Sequence, residues 1–317
     1  MKFTRATARI FAAAMALLCA AVLSHGAARP MVARPQASVA QKVVAQTQFP
    51  PLEKWKAAVL SGNAAALQSL YSADPPAVTK TLGGTSSDPA VEAAFWSQLK
   101  SSGLARLKTK IVYLDSPQSG VLRVIFTLEA DLQTPSGPAK RFASIAQNWI
   151  EQNGQPVIFA TQRSNLARLP QPVESKPNLY PDPAEARTDI GVALSVAARE
   201  HRRILLDFGG NWCYDCHVLD ATFHYPDVAK ILEPNFIVVH INIGQYDKNL
   251  DLAAKYQIPL KKGVPSLAVL DSTGKLLVSQ KQGDFENTTK IGLKDVENFL
   301  NRWKPLTKIS RSPSRVQ

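Results

Sequence analysis

Ile204-Leu205-Leu206-Asp207-Phe208-Gly209-Gly210-Asn211-Trp212-Cys213-Tyr214-Asp215-Cys216-His217 reads as a short buried strand, a glycine turn and the start of a helix carrying two cysteines. That order decides the chemistry. A cysteine at a helix N-terminus has its thiolate stabilised by unpaired backbone N–H groups and by the positive end of the helix dipole. The two-residue spacing lets the second sulfur reach back across one helical turn, so the pair can cycle between dithiol and disulfide.

Working outward, Asp207-Phe208, Trp212-Cys213-x-x-Cys216 and the later Val264-Pro265 follow one another in an order that resembles the thioredoxin superfamily. Thr222-Phe223, Pro226-Asp227-Val228 and Phe236-Ile237-Val238-Val239 resemble its exported branch, which includes the C-terminal domain of the disulfide interchange reductase DsbD. The resemblance covers about residues 180 to 305, and its parts are independent of one another. It implies an α/β thioredoxin-like domain with a mixed sheet. It also implies a cis Val264-Pro265 step beside the sulfurs, which a proline makes accessible. Asp207 would lie beneath the disulfide and handle the proton of the resolving thiol, its pKa raised by burial. Where many relatives carry a lysine opposite this Asp, His240 takes the place, so the titration of Asp207 can be coupled to His240 rather than set against a permanent cation.

The expected chemistry is thiol–disulfide exchange, with Cys213 as the nucleophile at the exposed helix start and Cys216 as the deeper resolving thiol. Trp212 shields the site. The Val264 backbone, held by Pro265, is expected to pair with an extended substrate segment. Tyr214 and Asp215, between the cysteines, are expected to tune the redox poise. The negative charge of Asp215 should raise the thiol pKa, favour the disulfide and make the protein an electron donor. No cofactor is expected beyond the Cys213–Cys216 disulfide, and no metal. Expected partners are protein disulfide substrates and a reducing dithiol protein. The letters Cys213-Tyr214-Asp215-Cys216-His217 also satisfy the c-type haem attachment pattern, with His217 as axial ligand. Cys213, Cys216, His217 and His224 compose a Zn or Cu set only on paper, because their spacing is not that of a zinc finger. A copper-handling dithiol or a redox-inactive binding module is the alternative function; His217 itself reads as a helix-surface residue.

Residues 1–28 read as a signal peptide: Lys2, Arg5 and Arg9 precede an apolar run from Ile10 to Leu23, too short to span a bilayer comfortably. An exported location, periplasmic or extracellular, follows, with a retained membrane anchor as the competing reading. Cleavage would remove Cys19 and leave two cysteines, whose four-residue ring constrains the unfolded chain little. The pair is therefore there to react or to bind something. The formal charge of +12 is spread along the 317 residues, and no nucleic-acid reader motif or aromatic-basic platform accompanies it. We read it as a solvated basic surface.

Residues 29–51 form an aperiodic spacer. From 52 to 166, two helical patterns (Leu52 to Tyr71, broken at Ser61-Gly62-Asn63, and Val91 to Leu99) precede four strands. Those strands are Leu107 to Leu114, Val121 to Leu132, Arg141 to Glu151 and Pro156 to Ser164, with turns at Asp115-Ser116-Pro117, Pro135 to Pro138 and Asn153-Gly154. Helices followed by a curved antiparallel sheet make this an α+β domain similar to the nuclear-transport-factor-2-like cone. Glu129 and Asp131 on one strand read as solvated. Such cones can enclose a ligand pocket or pair face to face as dimers, so a homodimer through this domain is one expectation. Residues 167–183 are a proline-dense linker, 184–304 the thioredoxin-like domain, and 305–317 a basic tail.

Overall fold

The computed structural model describes residues 48–167, 176–287 and 291–306. The signal segment, most of the spacer, residues 168–175 of the linker and the tail from 307 lie outside the described residues.

The N-terminal part opens with helix α1 (Pro50–Ser61), which starts two residues earlier than expected because Pro50 fits the first helical position. Gly62, at φ +69°, closes it and Asn63 restarts the chain as α2 (Ala64–Gln68), its side chain accepting from the Ala66 N–H at 3.0 Å. Strands β1 (Val78–Thr81) and β2 (Gly84–Ser86) follow. They are too short, and too close to Asp74-Pro75-Pro76, to show in the sequence pattern. Asp88 caps α3 (Pro89–Ser101) through the Ala90 N–H. Then come the long strands β3 (Leu104–Gln118), β4 (Val121–Thr134), β5 (Gly137–Gln152) and β6 (Gln155–Arg163).

The sheet runs β2-β1-β6-β5-β4-β3, and its concave face closes over the helices around Trp55, Trp96, Phe126 and Trp149. This is an α+β cone, with helices packed into the mouth of a curved sheet. The turn expected at Asp115-Ser116-Pro117 is instead strand. The register shifts between Asp115 and Gln118, Ser116 Oγ donates to the Val121 carbonyl, and Arg123 grips Asp115 with two hydrogen bonds of 2.9 and 2.6 Å. The chain reverses only at Gly120. At Asn153-Gly154 both residues have positive φ, as a two-residue hairpin of primed type requires. Glu129 and Asp131 pair with Lys140 at the surface.

The C-terminal part has a 3-10 turn (Pro183–Glu185), α4 (Ala186–Glu200), β7 (Arg203–Gly209), α5 (Tyr214–Phe223), α6 (Pro226–Asn235), β8 (Phe236–Asn242) and α7 (Leu250–Lys255). A second 3-10 turn (Leu260–Lys262), β9 (Ser266–Leu270), β10 (Leu276–Ser279) and α8 (Leu293–Trp303) complete it. The sheet order is β10-β9-β7-β8. Strand β7 lies parallel to β8 and antiparallel to β9, so the thioredoxin-like mixed sheet is present.

Being central, β7 is apolar on both faces. Ile204, Leu206 and Phe208 meet α4 and α7, whereas Leu205 meets the α5, α6 and α8 side with Leu219, Val228 and Leu300. Period two therefore sends Asp207 to the same side as Leu205, under α5. The end of the proline-dense stretch is part of this core: Leu179 and Tyr180 are buried, although residues 167–183 read as a linker. The described residues of both parts belong to one compact unit.

Candidate active site

Cys213 is the N-cap of α5. Its backbone is extended (φ −88°, ψ 108°), and its Sγ accepts from the Cys216 N–H at 3.1 Å. It is bonded to Cys216, with the two Cα atoms 5.3 Å apart. An anion at this Sγ would face a backbone donor and the positive end of a ten-residue helix. The Val264–Pro265 peptide bond is cis, and the Val264 carbonyl oxygen lies 3.5 Å from Cys213 Sγ. Trp212 donates from Nε1 to the Gly244 carbonyl at 2.6 Å and leans on Tyr246, the ring centroids 5.4 Å apart.

Cys213 was expected to be exposed, and this needs correction. It is only 5% exposed, while Cys216 is fully buried. The reason is the outer face of the N-terminal sheet, which lies over the start of α5. Tyr214 packs against Val112 and Ile125, and its hydroxyl donates to the Ser144 carbonyl at 3.0 Å. Gln162 donates to Asp215 Oδ1 at 3.1 Å, and Phe142 packs on Ala221. The residue read as a tuner, Tyr214, is thus an anchor between the two parts. The outer face of the cone's sheet carries α5 here.

Asp207, on the α5 side of β7, has no exposed surface. Its Oδ2 accepts from the Tyr180 hydroxyl at 2.9 Å and lies 3.0 Å from His240 Nδ1, the residue in register with it on β8. Its Oδ1 is buried without a hydrogen-bond partner. His240 Nε2 in turn lies 3.8 Å from Asp220 Oδ1. Burial opposes protonation of His240, but the hydrogen bond and charge of Asp207, with the charge of Asp220, outweigh it and raise its pKa. Burial also raises Asp220. Tyr180, pushed well up by burial and then by Asp207, keeps its proton and donates.

Tyr180 went unrecognised in the sequence because it stands among prolines. Asn211 clasps its backbone at two points of 2.9 Å each. A Cβ added at Gly209 would collide with the Tyr180 hydroxyl and meet Cys216 Sγ at 2.7 Å, so hydroxyl and sulfur border the same methyl-sized space. The only legible signal was an apolar pair, Leu179-Tyr180, inside a polar stretch.

His217 is not a surface residue. It is buried, its Nε2 lies 2.8 Å from the Asn211 carbonyl oxygen, and burial lowers its pKa. His224 Nδ1 lies 2.8 Å from the Asp220 carbonyl oxygen. Among the described residues no group of three or more His, Cys, Asp or Glu side chains is placed to hold a metal ion.

A cleft of about 390 Å³ opens over Cys213 between Trp212 and Val264 on one side and Ala146, Ala160 and Gln162 of the N-terminal sheet on the other.

Residues 185–272 match the family model described as thioredoxin-like. Among solved structures, a disulphide isomerase from Xylella fastidiosa Temecula1 is 33% identical, over 39% of this chain and 95% of that one, with a TM-score of 0.37. An NTF-2-like protein of unknown function from Shewanella oneidensis MR-1 is 16% identical, over 36% of this chain and 93% of that one, with a TM-score of 0.30. A putative calcium/calmodulin dependent protein kinase II association domain from Xanthomonas campestris is also 16% identical, over 38% of this chain and 84% of that one, with a TM-score of 0.31. No curated protein matches the chain.

Proposed function

Because this chain belongs to the thioredoxin-like family, we propose that it is a thiol–disulfide oxidoreductase whose Cys213–Cys216 pair donates electrons to disulfides. The observation that carries this reading is the disulfide at the N-terminus of α5 with a fully buried carboxylate, Asp207, held by the Tyr180 hydroxyl that shares the space at Gly209 with Cys216 Sγ. Carboxylates are seldom buried without a partner or a task, and one oxygen of this one has no partner.

In the reduced protein the Cys213 thiolate attacks a substrate disulfide, and Cys216 resolves the mixed disulfide. Asp207 receives the proton of Cys216, with Tyr180 holding the carboxylate in place and His240 adjusting its charge. Trp212 and the cis Val264–Pro265 step form the walls past which substrate enters. Asp215 disfavours the thiolate and so favours giving electrons away. Recharging then falls to a reducing dithiol protein.

We place the protein outside the cytoplasm on the strength of residues 1–28. Among the described residues no helix is long and apolar enough to cross a membrane. Mass spectrometry of protein recovered from a host that exports it would show an N-terminus near residue 29; an intact Met1 would overturn export with cleavage.

The deciding test is redox titration against glutathione or dithiothreitol buffers, read by mass after thiol alkylation, with an absorption spectrum of the same sample. We expect one two-electron transition nearer about −270 mV than the roughly −120 mV of a strong oxidase. Cysteines that never become alkylatable, together with a Soret band and added haem mass, would overturn the reading.

A further inference from the structure

We propose that the dithiol acts on a small amino-acid-derived disulfide, bearing carboxylate and ammonium groups, that enters the cleft between Cys213 and the N-terminal sheet. This rests on the oxidoreductase reading and narrows its substrate. Three observations support it.

First, access is restricted. The nucleophile is 5% exposed because a sheet stands over it, anchored through Tyr214 and Gln162. A disulfide on the surface of a folded protein needs a flat approach to Cys213, and the roof denies it. The remaining space of about 390 Å³ lies in the range of small-ligand pockets. Ala146 and Ala160 are among the strand residues that line it.

Second, the lining offers unspent positive charge. Arg123 is committed to Asp115 by two hydrogen bonds. Lys80 and Lys262, by contrast, are exposed at the cleft and have no acidic partner among the described residues. They reach it from opposite sides, Lys80 from β1 and Lys262 from the turn before Val264, so each can meet a carboxylate of a bound disulfide.

Third, one acid there is also uncommitted. Glu286 lines the cleft beside Gly263, and its Oε2 is buried with no hydrogen-bond partner. A buried carboxylate oxygen without a donor is costly, and a substrate ammonium would satisfy it. Two free cations and one free carboxylate around a thiol match a zwitterionic amino-acid or short-peptide disulfide better than a neutral one. Asp215, the other acid at the cleft, is engaged by Gln162.

The exchange balances. Cys213 thiolate bonds to one sulfur of R–S–S–R and expels R–S⁻. Cys216 thiolate then bonds to Cys213 Sγ and expels the second R–S⁻, and the two protons of the dithiol pass to the released thiolates. The substrate gains two electrons and the protein ends as the disulfide.

The test uses pre-reduced full-length mature protein and three oxidants: glutathione disulfide, which carries both charged groups; hydroxyethyl disulfide, which carries neither; and oxidised insulin. We expect kcat/KM to be highest for glutathione disulfide and lowest for insulin. In the Lys80→Glu/Lys262→Glu double variant, the ratio for glutathione disulfide over hydroxyethyl disulfide should fall by roughly tenfold, as loss of a charge-assisted contact implies. Glu286→Gln should lower the same ratio while leaving the equilibrium redox midpoint in place. Insulin matching or exceeding glutathione disulfide, or a ratio unmoved by the charge reversal, would overturn the inference while a clean two-electron titration kept the oxidoreductase reading. Failure of all three oxidants together with the absence of a two-electron transition would sink both.

Discussion

The molecule buries two acid–base pairs and uses them differently. In the N-terminal cone, Glu92 Oε1 accepts from Arg163 Nε at 2.8 Å and from Trp96 Nε1 at 2.7 Å, and the guanidinium lies 3.6 Å from the centre of the Phe95 ring. In the C-terminal part, Asp207 Oδ2 meets Tyr180 and His240, and its other oxygen meets nothing. The first pair sets a carboxylate against a side chain that does not give up its proton in proteins. The second sets one against an imidazole that can. The lesson is that burial of a charge by itself does not mark a site; a spare lone pair and a partner that titrates do.

The largest expected effect breaks the structural pair. Glu92→Gln leaves Arg163 buried without its counter-charge and should cost about 3–5 kcal/mol in urea unfolding. The redox midpoint should not move. If it moves, the cone is coupled to the dithiol more tightly than the two anchoring hydrogen bonds suggest.

Next, Asp207→Asn keeps the shape and removes the base. Stopped-flow resolution of the mixed disulfide at neutral pH should slow by about 100-fold, the low end of what a positioned acid–base group supplies. An unchanged rate would return Asp207 to the class of the Glu92 pair. Tyr180→Phe removes a single hydrogen bond to that carboxylate. It should lower stability by about 1 kcal/mol, with a change in the pH dependence of resolution that mere loss of packing would not produce.

The smallest effect sharpens the contrast by pH. The folded-state pKa of His240 is raised above its ordinary 6.5, so protonation favours the fold. Its stabilisation is fully present below pH 6.5 and is lost as pH rises through the raised value. The groups facing it are Asp207, Asp220, Tyr180 and the buried His217, with the Lys176 charge opposing its protonation. The stability gap between wild type and His240→Gln should therefore be wider at about pH 6 than at about pH 9.

Much of the second pair is legible in the sequence. Asp207 stands in a run of apolar residues at a strand end, and a strand of the right length brings His240 opposite it by register. Tyr180 was hidden, because proline spacing announces a connector and says nothing about whether one aromatic of that connector turns inward. The Glu92–Arg163 pair was equally silent. Its members lie 71 positions apart, on a helix and on a strand end, and only closure of the cone brings them together. Beside the cysteines, the identities of Tyr214 and Asp215 suggested electrostatic tuning, yet their partners sit on β5 and β6.

By itself the sequence determined the elements and the reactive pair. Local signals suffice there: period two in β7, the glycine turn, a cysteine at a helix start, and the spacing that lets Cys216 reach Cys213. Only the tertiary structure decided who can reach that pair. Access depends on a surface contributed by strands some 50 to 70 positions away, as the Gln162–Asp215 and Ser144–Tyr214 separations of 53 and 70 show. Such contacts carry no local periodicity, because they are made between finished elements rather than within them.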